Sequence, residues 1–326
     1  MARKPRASTH RSSARFFARV LPGAAPAPHP GFVAPCEPKL RRIPPSGDRW
    51  LSEIKHDGYR VQAQLQGGHP RFFTRLGHDW TNRFEALVSA LRDMPAHNVI
   101  LDGEVVVQDK AGRADFDALQ ADLGSGRSDR MLYFAFDLLY LDGFDLRKAP
   151  LAARKRVLAA LLEEAKSDCF HFIQHIEAEP SLVYEQACAM GLEGIVCKLR
   201  DAPYRSGHHS SWLKIKCVER GVFQIVGFVP APGAIAALHL ARREGKALAY
   251  VGRAGTGFSQ KSARELRQVL EALATDRPPV KGAPLRPKSI WVRPELAAAI
   301  EYTAITRDGL LRHASFKGLQ TQRART

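Results

Sequence analysis

Apolar residues fall in short runs along the chain, and the spacing within each run predicts a helix or a strand. Runs rich in Val, Ile, Leu and aromatic residues predict strands at 98–107, 132–141, 195–198 and 212–217. Leucine and valine recur at helical spacing over 151–166, which predicts a helix there. A second helix is predicted over 179–190, because Pro180 is tolerated in a first helical turn. This mixture predicts a first α+β domain over 31–218.

The pattern changes after residue 218, where strand-like runs become frequent and only one helical segment, 261–275, is found. The strands predicted in this part of the chain are 223–229, 237–240, 248–252 and 299–306. Several short strands around one helix are typical of a small β-barrel of the OB type. The pattern therefore predicts a second domain, an OB-fold β-barrel, over 219–326.

The first 30 residues differ from the rest, because they are rich in arginine and precede the first acidic residue, Glu37. Six basic residues fall within the first 20 positions, and residues 25–28 read as an Ala-Pro linker. Such a segment is typical of a disordered basic arm that contacts DNA, and also of an organelle transit peptide. We expect residues 1–30 to form a disordered basic arm.

Composition adds the first indication of partners, since Lys and Arg total 49 against 33 acids, a formal net charge of +16. An excess of this size favours a polyanion such as the nucleic-acid backbone, although a merely basic soluble protein has the same composition. No apolar run approaches the roughly 20 residues needed to cross a bilayer. The five cysteines are odd in number and scattered, which favours a reducing compartment. We expect a cytoplasmic protein without a membrane partner.

The first candidate for chemistry is Lys55, in the segment KHDGYR. A lysine amine attacks phosphorus only in its neutral form, so a nucleophilic lysine needs burial or neighbouring cations that favour that form. A Lys-x-Asp-Gly string by itself is equally typical of a hairpin that enters a turn, with the lysine in solvent. The motif becomes informative only in combination with others.

A second candidate is the segment SWLKIKC, which ends at Cys217. The period of a strand puts Leu213 and Ile215 on one face and Lys214 and Lys216 together on the other. Two parallel ammonium groups about 7 Å apart are costly unless an anion lies between them, and a phosphate meets that need. The alternative is a solvated edge strand whose lysines deter aggregation.

Two carboxylates and one aromatic residue stand in similar strand contexts. Glu104 and Glu193 each precede an apolar run, where a carboxylate caps a turn or binds a cation or a hydroxyl. Magnesium bound with a nucleotide phosphate typically takes one or two protein carboxylates. Phe136 lies inside an apolar strand, where it is either a core residue or a stacking surface for a base.

The order of the motifs carries more information than any one of them. They are KxDGxR at 55–60, DGE at 102–104, FDLLYLDG at 136–143, EGIVCK at 193–198 and WLKIK at 212–216. This series resembles that of the covalent nucleotidyltransferases, which comprise ATP-dependent DNA ligases, RNA ligases and mRNA capping enzymes. Further segments look like the ligase domain of bacterial ligase D, a family that works with Ku in non-homologous end joining; these are PSGD at 45–48, RAGTGFS at 253–259 and RHASFKG at 312–318.

The resemblance implies an ATP-dependent DNA ligase with an adenylation (nucleotidyltransferase) domain of antiparallel sheets and flanking helices, followed by an OB-fold domain. Lys55 would carry AMP, and Glu193 would hold Mg²⁺ or Mn²⁺. The family implies that Glu53 lies beside the adenine, Arg60 and Glu104 near the ribose, Phe136 on the base, and Lys214 and Lys216 at the α-phosphate. It also implies that Arg75 and Lys198 belong to the nucleotide site, and that Arg312 and Lys317 lie on the OB domain, which closes over ATP.

The chain departs from the family at Ala314, where a proline is usual, and at Gln320, where an arginine is usual. If that arginine is needed for closure over ATP, self-adenylation would be slower. The expected partners are nicked or broken duplex DNA, Ku and separate end-processing enzymes, with the protein acting as a monomer near the bacterial nucleoid in DNA repair and recombination. The alternatives are an RNA ligase, a capping-type nucleotidyltransferase, or an inactive paralogue that only binds nucleic acid.

Overall fold

The computed structural model describes residues 13–245, 247–283, 288–306 and 308–320, and the chain folds into two compact units, 1–216 and 217–326. The elements of the first unit, in chain order, are α1 (Ser13–Val20), β1 (Ala25–Pro26), β2 (Cys36–Arg41), β3 (Trp50–Ile54), β4 (Tyr59–Gln66), β5 (His69–Thr74), α2 (Glu85–Arg92), β6 (Asn98–Val106), α3 (Phe116–Ser125), β7 (Leu132–Leu141), β8 (Phe144–Asp145), α4 (Leu151–Ala165), β9 (Phe170–Phe172), α5 (Pro180–Ala189), β10 (Gly194–Leu199) and β11 (Gly207–Lys216). The strands and helices predicted in this part of the sequence are therefore present.

The larger sheet of the first unit has the strand order β1-β8-β7-β6-β4-β5, with β9 added beside β7. All its pairings are antiparallel except that of β7 with β9. The main core packs on this sheet, and the ring of Tyr133 lies at its centre, fully buried. Gly103 makes room for that ring, because a Cβ at this position would lie 2.5 Å from it. The Tyr133 hydroxyl donates to the carbonyl of Val61 at 2.8 Å, so its polar end is satisfied inside the core.

The smaller sheet has the strand order β2-β11-β10-β3, and α5 packs on one of its faces. Leu213 and Ile215 of β11 belong to the apolar cluster formed with Val183 and Ala187 of α5. Successive side chains of a strand point to opposite faces, so Lys214 and Lys216 point away from that helix. A further apolar cluster joins the two sheets, with members from both; they are Val33, Cys36, Ile100, Phe136, Leu139, Tyr140, Ile173, Tyr204 and Trp212.

The helices of the first unit are short, and α4, with 15 residues, is the longest helix described. Its predicted apolar stripe is buried in the main core through residues such as Val157 and Leu161. Two charged residues of the same helix, Arg154 and Lys155, are also fully buried. Over the residues that the structure describes, no helix is long and apolar enough to span a membrane.

The expectation of a disordered arm over residues 1–30 is wrong for residues 13–30. Helix α1 packs on α4, and its Ala14 and Ala18 are buried in the main core. These small residues are four apart and so lie on one helix face, which lets the helix approach closely. The proposed linker pairs instead with β8, through Ala25 and Pro26. Residues 1–12 lie outside the described part of the chain.

The second unit is rich in strands and contains one described helix. Its elements are β12 (Glu219–Ala231), β13 (Ala234–Glu244), β14 (Ala247–Ala254), α6 (Gln260–Glu271), β15 (Ala274–Thr275), β16 (Ile290–Val292), β17 (Ala297–Tyr302), β18 (Ala304–Ile305), β19 (Leu311–Arg312) and β20 (Ser315–Gln320). Strand β12 pairs with β17 through its first half and with β16 further along, so one long strand serves two neighbours. This composition agrees with the predicted OB-type region, although no pairing among the described strands closes the sheet into a barrel.

Candidate active site

The first unit contains a cavity of about 170 Å³ that is lined by residues of both sheets. Eight predicted site residues line it, namely Glu53, Lys55, Arg60, Arg75, Glu104, Phe136, Lys198 and Lys214. Their positions along the chain range from the end of β3 to β11, so the fold, and not sequence proximity, brings them together. The cavity has charged groups and aromatic rings in its wall, which suits a ligand with both anionic and planar parts.

Lys55 follows the last residue of β3, and its backbone N–H donates to the carbonyl of Gly194 at 3.0 Å. Its Nζ lies 2.5 Å from Oε2 of Glu193, while Nζ of Lys216 lies 3.2 Å from Oε1 of the same carboxylate. The next residue, Gly194, lies tightly against the paired strand β11, because a Cβ there would lie 2.1 Å from the carbonyl oxygen of Ile215. Glu193 therefore holds the ammonium groups of both lysines in place.

Lys214 shares the cavity side of β11 with Lys216. Burial lowers the pKa of Lys214, and the positive charges of Lys55 and Lys216 lower it further. Strand β11 lies between β2 and β10, so the alternative of a solvated edge strand is wrong. Three lysines thus converge on one region, which is an arrangement that stabilises an anion such as a phosphate.

Glu53 is buried, and each of its carboxylate oxygens holds one lysine. Nζ of Lys155 lies 2.6 Å from Oε1, and Nζ of Lys198 lies 2.6 Å from Oε2. Burial lowers the pKa of Lys198 more than the charge of Glu53 raises it. The Lys198 ammonium also lies 4.2 Å from the ring centre of Phe136 and 4.0 Å from that of Trp212. Charge pairing and cation–π contacts therefore fix this corner of the cavity.

Arg60 connects the cavity wall to the core. Its guanidinium donates to both oxygens of Asp102, at 3.0 and 2.7 Å, and to the carbonyl of Cys36 at 2.7 Å. Burial alone would lower the pKa of Arg60, but the charge and hydrogen bonds of Asp102 raise it overall. The guanidinium carbon lies 5.3 Å from the ring centre of Phe136. Arg60 thus supports the ring that the sequence suggested as a stacking surface.

Two further acids lie at the cavity. Burial raises the pKa of Glu104 to about 8, although the charges of Lys55 and Arg60 oppose the increase. Glu37 pairs with Arg75, whose Nε lies 2.9 Å from its carboxylate oxygen. Glu104 is therefore a carboxyl group that holds its proton near neutral pH, whereas Glu37 is paired with an arginine.

Four charged or aromatic side chains of this region were not predicted as site residues: Glu37, His56, Lys155 and Trp212. His56 stacks on Phe134 with ring centres 4.6 Å apart, and burial and then the charge of Lys55 lower its pKa. His56 and Trp212 stand within quoted motifs, so their positions offered a signal. Lys155 offered none, because a lysine in a helical segment is ordinarily solvated.

A divalent ion is implied by the resemblance, with Glu193 as its protein ligand. No group of three or more His, Cys, Asp or Glu side chains that could hold a metal ion occurs within the described ranges. Magnesium bound with a nucleotide needs only one or two protein carboxylates, since phosphate oxygens and water complete its shell. A single Glu193 carboxylate among phosphate-binding lysines fits that requirement.

The second unit carries the remaining predicted residues. Arg312 lies in the short strand β19, and Lys317 lies in β20, where its Nζ is 3.1 Å from a carboxylate oxygen of Glu301. Ala314, which replaces the usual proline, is 7% exposed and packs in the core of this unit. Gln320 is the last residue of β20, and the residues that follow it lie beyond the described ranges.

Comparisons with known proteins agree with the motif series. A family model described as "ATP dependent DNA ligase domain" matches residues 36–216, and one described as "ATP dependent DNA ligase C terminal region" matches residues 231–323. The protein called multifunctional non-homologous end joining protein LigD of Pseudomonas aeruginosa is 39% identical over 302 residues, which are 90% of this chain and 36% of that protein. Its namesake in Mycolicibacterium smegmatis is 34% identical over 282 residues, 83% of this chain and 36% of that protein. The chain thus spans about a third of the length of these curated relatives.

Solved structures give the same result. The crystal structure of the ligase domain from M. tuberculosis LigD matches with a TM-score of 0.54 and 30% identity, covering 88% of this chain and 95% of that one. A structure described as mycobacterial DNA ligase D complexed with ATP and MES matches with a TM-score of 0.54 and 30% identity, covering 89% of this chain and 96% of that one.

Proposed function

This chain belongs to the family of ATP-dependent DNA ligases, and we propose that it seals breaks in DNA through an AMP group carried covalently on Lys55. The observation that carries the proposal is the position of the Lys55 amine at a cavity that it shares with Lys214, Phe136 and Glu53. A structure whose description names ATP is among those that the chain resembles, which supports ATP as the AMP donor.

In the first step the neutral amine of Lys55 attacks the α-phosphorus of ATP. A nitrogen–phosphorus bond forms, the bond to the bridging oxygen breaks, and pyrophosphate leaves with the electron pair. The ammonium groups of Lys214 and Lys216 stabilise the charge that develops on the phosphoryl oxygens. The Lys55–Glu193 ion pair must open before the attack, because the amine has to lose a proton to become a nucleophile.

The next two steps act on DNA. An oxygen of the DNA 5′-phosphate attacks the phosphorus of the AMP group, and the Lys55 amine leaves. The 3′-hydroxyl at the break then attacks the 5′-phosphate, a phosphodiester bond forms, and AMP is released. Holding the reacting groups side by side supplies a large part of the acceleration, because a bimolecular step becomes effectively unimolecular.

The remaining roles are those that the family resemblance implies, and the lining of the cavity supports them. In this proposal Phe136 stacks on the adenine, Arg60 and Glu104 bind the ribose, Glu53 contacts the base, and Arg75 and Lys198 complete the nucleotide site; all six residues line the cavity. Glu193 would hold a magnesium or manganese ion once ATP is bound, and such an ion neutralises charge on the leaving pyrophosphate. For Arg312 and Lys317 of the second unit, the family resemblance supports a role in the first step.

The proposed cellular role is the ligation step of bacterial non-homologous end joining, on nicked or broken duplex DNA near the nucleoid. The names of the curated relatives support this setting. In this proposal residues 31–218 are the adenylation domain and 219–326 the OB-fold domain, and the protein acts as a monomer that Ku recruits. The net charge of +16 supports attraction to the DNA backbone.

The decisive test is replacement of the nucleophile. We expect Lys55→Ala to abolish AMP attachment, because the variant has no amine at the cavity position that Lys55 occupies. The measurement is mass spectrometry after incubation with ATP and magnesium, followed by sealing assays on nicked DNA and nicked RNA. Lys261→Ala is the matched control, since its side chain is 86% exposed on α6. An AMP adduct of normal yield on Lys55→Ala would contradict the proposal, and preferential sealing of RNA would make the chain an RNA ligase.

A further inference from the structure

The ion cluster around Glu53 contains a residue with no role in the reaction described above. Lys155 reaches the cluster from α4 and is fully buried, as are Glu53 at 2% and Lys198 at 1% exposure. Besides its contact with Glu53, the Lys155 ammonium donates to the carbonyl of Ile173 at 2.8 Å and lies 4.6 Å from the ring centre of Phe172. The position of Lys155 is therefore fixed on three sides.

Burial of a charged group is costly unless the group is paired, so this cluster holds its members in one arrangement. Lys155 pairs with Oε1 of Glu53 and Lys198 with Oε2, so the orientation of the carboxylate is fixed from both sides. An ionised carboxylate has about four lone-pair sites, so two remain for another donor. Glu53 and Phe136 line the same cavity, which places this acceptor beside a ring suited to stacking.

We propose that Lys155 is a positioning residue for nucleobase selection: it fixes Glu53 in the orientation in which the carboxylate accepts an N–H of the exocyclic amino group of adenine and repels a 6-oxo purine. The inference rests on the proposed function, because it requires ATP in this cavity. It extends that function by naming a residue, outside the motifs, that determines which nucleoside triphosphate is used.

The discrimination follows from the chemistry at position 6 of the purine. Carboxylates accept hydrogen bonds from base amino groups, whereas a 6-oxo group places a second acceptor against the carboxylate oxygens. A site built to make one hydrogen bond rejects a ligand that leaves its polar group unpaired. Without Lys155, Oε1 loses the ammonium group that holds it, so the carboxylate can turn away from the base and the preference for a 6-amino purine falls.

The experiment measures AMP or IMP attachment to the full chain from ATP and from inosine triphosphate, which differ at position 6. The compared quantity is kcat/KM for ATP divided by kcat/KM for inosine triphosphate. We expect Lys155→Met to lower this ratio by about 10–100-fold, which is the usual contribution of one hydrogen bond to a charged group. Most of the change should appear in the KM for ATP. Lys155→Arg should keep the ratio within about threefold, since it restores the charge and the donors.

Arg154→Met is the matched control. Arg154 is the preceding residue, is equally buried, and pairs with Asp137 at 2.7 Å, but neither residue lines the cavity. Because the kcat/KM ratio does not depend on how much enzyme is folded, general destabilisation leaves it unchanged. If Lys155→Met yields no folded protein, Lys155→Gln, which keeps an N–H donor without the charge, is measured in the same way.

Two results would overturn the inference: an unchanged ratio in the Lys155 variant, or an equal change in Arg154→Met. Wild-type protein that takes no nucleotide from ATP would instead contradict the proposed function itself. Wild-type attachment from ATP with a reduced ratio in Lys155→Met, and recovery in Lys155→Arg, is the result that we expect.

Discussion

At the scale of single residues, the candidate site sets three carboxyl groups in different environments. Glu193 and Glu53 each hold two ammonium groups within 3.2 Å. For Glu104, in contrast, burial raises the pKa to about 8. Acids of the same region therefore differ in environment: Glu53 and Glu193 are paired with lysines, whereas Glu104 holds its proton near neutral pH and can donate a hydrogen bond.

The raised pKa of Glu104 leads to a prediction about stability. Between the ordinary glutamate pKa and about 8, the folded protein binds a proton that the unfolded chain releases, so stability falls as the pH rises through this window. Glu104→Gln removes the titrating group, so the variant does not lose folding stability in this way as the pH rises. We expect the variant to gain on the order of 2 kcal/mol relative to wild type between pH 6 and pH 8.5. Urea unfolding at the two pH values is the measurement, and a parallel pH dependence in both proteins would contradict it.

At the scale of elements, β11 shows how one strand serves two purposes. Its Leu213 and Ile215 pack under α5, while Lys214 and Lys216 reach the opposite side near Lys55. The strand is held in this orientation because it pairs with β10 on one side and β2 on the other. Burying the apolar face thus presents the lysines to the cavity.

This orientation predicts the effect of removing either lysine. We expect Lys214→Ala and Lys216→Ala each to slow single-turnover sealing by on the order of 10²–10³, as for other lost transition-state donors. Lys39→Ala is the matched control, because Lys39 is exposed on β2 of the same sheet. Near-normal rates in both single variants would rule out the assignment of these lysines to the phosphate.

At the scale of the whole molecule, the net charge of +16 is the dominant feature for association with DNA. Part of that charge precedes residue 13, where Arg3, Lys4, Arg6 and Arg11 occur without an acidic residue. Helix α1 begins at Ser13 and packs in the core. A truncation that ends before Ser13 therefore removes basic residues while it keeps this helix.

Deletion of residues 1–12 therefore tests the contribution of the basic N-terminus to DNA binding. Each phosphate contact adds roughly 0.9 to the slope of log affinity against log salt for duplex DNA, so we expect the slope to flatten by up to about 3–4. AMP attachment to Lys55 should not change, since the nucleotide motifs all follow the deletion. A salt titration of binding to nicked duplex is the measurement. Equal slopes for the full-length and truncated proteins would mean that these residues do not contact DNA.

The sequence by itself predicted the reaction class, through the resemblance of its ordered motif series to a known family, and it named eight residues that line the cavity. The period of β11 assigned Lys214 and Lys216 to one face, and Lys55 stands in a motif that directly follows a strand. The apolar runs likewise predicted strands and helices that the structure contains. Local patterns are readable because the side-chain periods of strands and helices depend only on backbone geometry.

The tertiary structure alone decided which distant residues support that site. Glu53 and Lys155 are 102 positions apart, and a helical pattern does not reveal that a lysine on it is buried against a carboxylate. The same holds for α1, whose arginine-rich sequence resembles a free arm although Ala14 and Ala18 fit against the core. Burial and ion pairing depend on what the rest of the chain places nearby, so no local pattern encodes them.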